Sequence, residues 1–261
     1  MKRSLLDVIF MSEKRKGVLL LLQDGAKEME YFLKSLDTTR QALLPQIRIL
    51  EDHYLVSHSQ GTYKLTAIGK LIVDEMLPLL GTIEALDIDI DYWGTRNLEF
   101  MPSHILKRIS GIKYCNIIKP SLANIYEVNQ DFIEKSKGTV SLFFIFTFMH
   151  PSFPLYISRF IENDINTSII ITKDLLIKLK KSWQKEANSF IGSGKVKLFL
   201  YQNDLKFVSL SVSDHCLALR MLDQNYNYDN TQLFCCNPEN ALWGKELFEF
   251  YLKDSISITE I

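Results

Sequence analysis

Residues 36–71 read LDTTRQALLPQIRILEDHYLVSHSQGTYKLTAIGKL, an amphipathic segment followed by two short runs of β-forming residues. Thr38 or Thr39 can accept a backbone N–H and start a helix, in which Leu43, Ile47 and Leu50 recur at i, i+4 and i+7 as a buried face. A turn of roughly 100° per residue then puts Thr38, Gln41, Pro45 and Arg48 on the opposite face. Gln41 carries the amide that pairs with adenine, and Arg48 the fork that fits guanine or a phosphate, with Arg40 beside them for backbone phosphates. Taken singly, each is equally at home on a solvated helix face. Pro45 removes the bond to the Gln41 carbonyl, which costs roughly 3 kcal/mol in a helix interior, so a kink or a late start is expected there.

After the helix, Tyr54, Leu55 and Val56 open a strand, His58, Ser59, Gln60 and Gly61 turn it, and Thr62 to Thr66 return it as a hairpin. His58, Gln60 and Lys64 then project toward phosphates or the minor groove. A helix followed by such a hairpin is the order of a recognition helix and its wing, so the expected partner is double-stranded operator DNA. Its expected contacts are Thr38, Thr39, Arg40, Gln41, Arg48, His58, Gln60 and Lys64. Tyr63, Lys64, Leu65, Thr66 and Gly69 resemble the Y-x-L-T-x-x-G ending of winged-helix regulators, in which the threonine caps the next helix. Upstream, the spacing predicts helices from Ser4 to Met11, Glu13 to Gln23 and Ala26 to Leu36.

Bulk properties bound the rest. The 261 residues, 47% hydrophobic, suffice for two compact domains. Lys plus Arg at 30 against Asp plus Glu at 31 leaves a net charge of -1, so any affinity for nucleic acid must come from a local patch. No run of about 18 uncharged apolar residues is present, and the N-terminal apolar run is too interrupted for an export signal. The expectation is a soluble, cytoplasmic chain without membrane contact. Cys115, Cys216, Cys235 and Cys236 form no C-x-x-C pair and no zinc spacing, and read as buried free thiols, the adjacent Cys235 and Cys236 alternatively as a redox pair. No cofactor and no metal is expected.

From Ala67 the chain reads as helix, broken or kinked at Pro78 and Gly81, with Ile68, Leu71, Ile72, Val73, Met76, Leu77, Leu79 and Leu80 spread over several faces. Such a helix needs cover on more than one side, so a homodimer or a packed second domain is expected. A dimer would also space two recognition helices about one turn of DNA apart. The acidic segment beginning near Asp87 marks a composition change, dividing a DNA-binding domain with its dimerisation helix (1–87) from a regulatory domain (88–261).

The second half alternates strands and helices. Strands are expected at Lys113 to Ile118, Thr139 to Phe148, Thr167 to Thr172, Lys195 to Tyr201, Phe207 to Ser213, Cys216 to Leu222 and Gln232 to Cys236. Helices are expected at Ser121 to Lys135, Leu155 to Asn163, Lys173 to Phe190 and Glu239 to Leu252. This pattern predicts a parallel βαβ core joined to an antiparallel set, an α+β, α/β multidomain chain.

Several stretches carry a family resemblance: Asp91, Tyr92 and Trp93 with the following FMPSHILKRISGI, the pair His150 and Pro151, and the ending ALWGKELFEFYLKDS. With the N-terminal part, they resemble archaeal winged-helix transcriptional regulators of the filament-type methanogenesis regulator family. The resemblance implies a DNA-binding regulator whose second domain is similar to half of a phospholipase D-like fold and senses a small molecule.

Phospholipase D chemistry needs a histidine nucleophile with a lysine two residues on. His150 is followed by Pro151 and Ser152, and His215 by Cys216 and Leu217, so neither fits, and no enzyme is expected. No phosphate-binding G-x-x-x-x-G-K-[ST] loop or G-x-S-x-G elbow occurs either. Candidate effector contacts are Trp93, His150, Arg159 and Arg220, against the plainer roles of packed aromatic, capped turn and surface charge. The alternatives to a regulator are a winged helix that contacts protein and a divergent phosphodiesterase.

Overall fold

The computed structural model describes residues 3–120 and 129–261. It is a mixed α+β chain of two compact units, Met1–Leu80 and Gly81–Ile261.

The first unit comprises α1 (Leu5–Phe10), α2 (Glu13–Leu21), β1 (Lys27–Glu28), α3 (Met29–Ser35), α4 (Arg40–Asp52), β2 (Val56–Ser59), β3 (Thr62–Leu65) and most of α5 (Ala67–Leu86). Ser4 and Ser12 cap α1 and α2, their hydroxyls accepting the Asp7 and Arg15 N–H groups. Val18, Leu19, Phe32, Leu43, Ile47, Leu50 and Leu55 are completely buried in one core. Each such side chain stabilises the unit by about 1.5–3 kcal/mol. Arg15 of α2 is buried. It donates to Gln46 Oε1 on α4 at 2.6 Å and to the carbonyls of Asp7, at 3.0 Å, and Val8, which ties α1 to α4.

Residues Lys27 and Glu28 were expected inside the third helix but form β1. They add to the hairpin as a third strand in the order β1-β3-β2, an edge pairing that helical periodicity cannot reveal. The β2–β3 turn is Gln60–Gly61, both at positive φ (51° and 79°), the two-residue geometry that matches the strand twist. Thr66 then caps α5 as expected, its Oγ1 accepting the Gly69 N–H at 3.0 Å and donating to the Tyr54 carbonyl. Gly69 itself lies against Leu55, where a Cβ would come within 2.0 Å of the backbone oxygen. Of the break or kink expected at Pro78 and Gly81, the break does not occur: α5 is one helix through both.

The second unit begins within α5 because Ala85 already packs into its core. It continues with α6 (Ile90–Thr95), α7 (Ser103–Leu106), β4 (Asn116–Ile118), α8 (Gln130–Lys135), β5 (Ser141–Phe146), α9 (Phe153–Glu162) and β6 (Asn166–Ile171). There follow α10 (Lys173–Ser182), α11 (Gln184–Gly192), β7 (Val196–Tyr201), β8 (Ser209–Val212), β9 (Cys216–Arg220), β10 (Gln232–Cys236), α12 (Pro238–Lys253) and β11 (Ser255–Ile258). One sheet runs β11-β7-β6-β5-β8-β9-β10-β4. Its β5, β6 and β7 are parallel and the remaining pairs antiparallel, as the alternation and the short links predict.

Some expected elements differ. The single helix over 173–190 is two, interrupted at Trp183, whose φ of -143° leaves the helical region. Asn129 caps α8, so that helix starts at Gln130; the rest of the helix expected from Ser121 lies outside the described residues. Strand β11 was not foreseen because Ser-Ile-Ser-Ile is too short a signal without its partner β7.

The cysteines require the largest correction. They form two disulfides, Cys115–Cys235 and Cys216–Cys236, with no free thiol left. The register sets Cys216 directly opposite Cys236, while Phe234 opposite Asn116 brings Cys115 level with Cys235. Alternation turns the neighbouring Cys235 and Cys236 to opposite faces, so β10 is tied to β4 on one face and to β9 on the other.

Two outcomes are expected. Gly69→Ala should destabilise the first unit by about 1–3 kcal/mol in denaturant unfolding, because the new Cβ meets backbone that cannot step aside. Full reduction should lower the second unit's melting temperature, with each native disulfide contributing about 2–5 kcal/mol; an unchanged transition in the presence of a phosphine reductant would show the bonds to be absent.

Candidate functional site

Two surfaces contain most of the residues singled out from sequence. In the first unit, Asp37 at φ 43° turns the chain between α3 and α4, and Thr39 caps α4 by accepting the Ala42 N–H at 3.4 Å. Leu43, Ile47 and Leu50 point into the core, leaving Arg40, Gln41 and Arg48 exposed. Helix α4 runs unbroken through Pro45. The acceptor that Pro45 leaves unpaired belongs to Gln41, an exposed residue within reach of water, so the loss is tolerated.

His58, Gln60 and Lys64 are exposed on the hairpin, and the His58 ring stacks on Tyr63 at 4.2 Å. Burial pushes the Tyr63 hydroxyl above its usual range and Glu51 adds to this, whereas Arg40 and Arg48 pull it down. Both guanidinium groups therefore act on the hairpin from α4. Arg40, Arg48 and Lys64 have no ion-pair partner among the described residues. Their charge is thus available locally despite the near-neutral total. Thr38 is half-buried, its N–H donating to the Leu33 carbonyl at 3.1 Å.

In the second unit a cavity of about 660 Å³ opens on one face of the sheet. That is within the roughly 300–1,000 Å³ typical of small-molecule sites. Its floor follows from register. Phe146, Ser209, Arg220 and Gln232 stand opposite one another across β5, β8, β9 and β10, and the adjoining row holds Phe144, Ser211 and Ala218. On the intervening positions, Leu210, Val212, Leu217, Leu219 and Leu233 face the other way and pack with Trp243, Leu247 and Phe248 of α12. Large residues thus fill one face, and Ser209, Ser211 and Ala218 leave room on the other. Phe132 of α8 and Phe153, Tyr156 and Phe160 of α9 complete the wall.

Of the four expected effector contacts, His150 and Arg220 line this cavity. His150 Nδ1 also accepts the Ser152 N–H at 3.1 Å, bracing the turn before α9. Trp93 is buried in the opposite core, its Nε1 donating to the Ala85 carbonyl at 3.0 Å, and Arg159 is exposed beside the Tyr156 ring. Neither lines the cavity, because sequence order carries no information about which face of the sheet each packs on. His215 belongs to the turn between β8 and β9, where its N–H donates to Ser213 Oγ, and is also outside the cavity lining. Among the described residues, no group of three or more His, Cys, Asp or Glu is placed to hold a metal ion.

Gln232, Tyr228, Asp229 and Asn230 join the site without having been foreseen. Asp229 receives the buried Arg96 guanidinium at 2.5 Å and the Thr231 N–H at 3.0 Å. Burial works to raise its carboxyl, but these bonds hold it below the usual range. The Tyr228 hydroxyl, pushed up by burial, donates to Asn230 Oδ1. The one available signal was the alternation of Ser-Leu-Ser-Val and Cys-Leu-Ala-Leu-Arg in β8 and β9, which sorts bulky and small residues onto separate faces.

Residues 3–84 match the family model of the N-terminal domain of methanogenesis regulatory protein FilR1, and residues 125–254 that of its middle domain. The curated methanogenesis regulatory protein FilR1 of Methanothrix harundinacea (strain 6Ac) is 23% identical over 95% of this chain; the chain spans 57% of that relative's length. Among solved structures, TrmBL2, described as an archaeal chromatin protein with a novel mode of DNA binding, is similar at a TM-score of 0.45 and 16% identity, over 97% of each chain. Nuc from Salmonella typhimurium, a phospholipase D family member, is similar at a TM-score of 0.37 and 8% identity, over 55% of this chain and 98% of its own.

Proposed function

The chain belongs to the methanogenesis regulatory protein FilR1 family, and from that membership we propose that it is a DNA-binding transcriptional regulator, not an enzyme. The first unit is read as a winged helix-turn-helix, with α4 as recognition helix and the β2–β3 hairpin as wing. The second is read as a sensing domain resembling half of a phospholipase D-like fold. The observation that carries this reading is the continuity of α4, which keeps Gln41 and Arg48 on one exposed helix face beside Arg40 and Lys64, neither of which has an ion pair among the described residues.

In the proposed complex Gln41 and Arg48 meet base edges, and Arg40, Thr38, Thr39, Gln60 and Lys64 meet phosphates. His58, stacked on Tyr63, is the hairpin's planar contact. Two copies of the chain assemble through α5. This is supported by Ile68, Leu71 and Leu79, which are 51%, 66% and 50% exposed, an apolar surface unusual on a lone helix. A ligand in the second unit's cavity, next to His150 and Arg220, controls operator affinity by binding the DNA-competent and incompetent arrangements unequally.

Replacing Gln41 and Arg48 together by Ala should remove operator-specific binding while leaving the fold intact. At about 1–3 kcal/mol for each base contact, a footprint selected from random DNA should disappear; an unchanged footprint would sink the assignment. Wild-type affinity should also fall linearly in log salt concentration as counterions are released, which a protein-protein contact would not show. For the assembly, Leu71→Glu should convert the dimer to monomer in light scattering, and a dimer that persists would rule out α5 as its interface.

A further inference from the structure

The cavity has an unequal distribution of polarity that points to the chemistry of its occupant. Most of its wall is aromatic. Phe146 lies 5.2 Å from Phe144 and 4.8 Å from Phe153 between ring centres, and Phe160 stacks behind Phe144 at 6.2 Å. At the β9–β10 end of the floor, Arg220 and Gln232 stand side by side in the register.

Those two residues have unmet bonding capacity. Among the described residues, the buried Arg220 Nε has no hydrogen-bond partner and the guanidinium has no ion pair. Asp229, the carboxylate that lines the same cavity, is already engaged by Arg96 and Thr231. Gln232 is 6% exposed and its Oε1 is likewise unpartnered. Burial pulls the Arg220 guanidinium below its ordinary value, yet arginine stays charged in proteins. Arg220 as a residue is half-buried, but its Nε is shut off from water, and a cation so placed without a counter-ion favours an anion beside it.

We propose that the cavity binds a small organic anion, an aromatic or otherwise apolar body carrying one carboxylate or phosphate, with the anion on Arg220 and a donor of the ligand on Gln232 Oε1. This rests on the sensing role proposed above. It adds the class of ligand and the residue that selects it. The planar fork of Arg220 suits either oxyanion, and the phenylalanine wall suits the body. The serines and alanine at 209, 211 and 218 supply the volume.

The test uses the full chain and three probes: indole-3-propionate, 1-naphthyl phosphate and the neutral indole-3-propionamide, followed by calorimetry and thermal shift. At least one anion should bind and raise the melting temperature while the amide does not, and the comparison of the two anions identifies carboxylate or phosphate. Arg220→Met should weaken the anion about thirtyfold or more, as expected for removing one partner of a buried charge pair. Without ligand it should melt no lower than wild type, since a half-buried charge without a counter-ion is removed; a structural arginine would give the opposite sign.

Ala218→Leu, which fills the floor and leaves Arg220 in place, should abolish binding of both anions. Equal binding of acid and amide, wild-type affinity in either variant, or no binding of either anion at millimolar concentration would overturn the proposal. Operator affinity measured on the same samples separates the two readings. An anion that binds through Arg220 but leaves operator affinity unchanged keeps the ligand class and removes the sensing role.

Discussion

The second unit depends on the period of two in strands β8, β9 and β10. Leucine and valine at every other position present one continuous apolar face, which α12 covers with Trp243, Leu247 and Phe248. That layer buries enough surface to hold the sheet from one side. The other face can then carry Ser209, Ser211, Ala218, Arg220 and Gln232, and leave a cavity among them. A register slip of one residue would exchange the two faces, placing Arg220 under α12 and leucines at the cavity floor. Buried polar bonds hold the covering layer in place. Asn240 exchanges two hydrogen bonds with the Lys113 backbone at 2.9 Å, and Tyr251 donates to the Phe100 carbonyl at 2.6 Å.

Interference between neighbours on the first unit is handled differently. Its core is small, and specific polar anchors supplement the apolar contacts. Arg15 joins the end of α1 to Gln46 of α4, and Thr66 joins the hairpin to the start of α5. Helix α4 is thereby held on both its inner side and at its flanking turns, which leaves its outer residues free of structural duties. Gln41 and Arg48 are exposed for that reason, and a partner can be read by them without disturbing the core.

Much of the first unit was legible in the sequence. The face of Leu43, Ile47 and Leu50, the cap at Thr66 and the turn at Gln60–Gly61 follow from interactions within a few residues, whereas His58 and Ser59, expected in that turn, extend β2. Every strand of the second unit except β11 was legible too, because an apolar run as short as residues 141–146, bounded by turn residues, favours a buried strand over a helix. Trp93 and Arg159 show where this stopped. Their residue types suit a ligand site, but one packs in the opposite core and the other faces solvent.

The sequence by itself determined the elements, their inward faces and the local charge of the α4 surface, since these rest on helix and strand periods and on side chains close along the chain. Only the tertiary structure decided the pairing of Cys115 with Cys235 across 120 residues, the edge strand at Lys27, the continuity of α4 through Pro45, and the union of His150, Arg220 and Gln232 in one cavity. Strand order and register bring those groups together, and both are set by contacts between distant segments that no local pattern encodes.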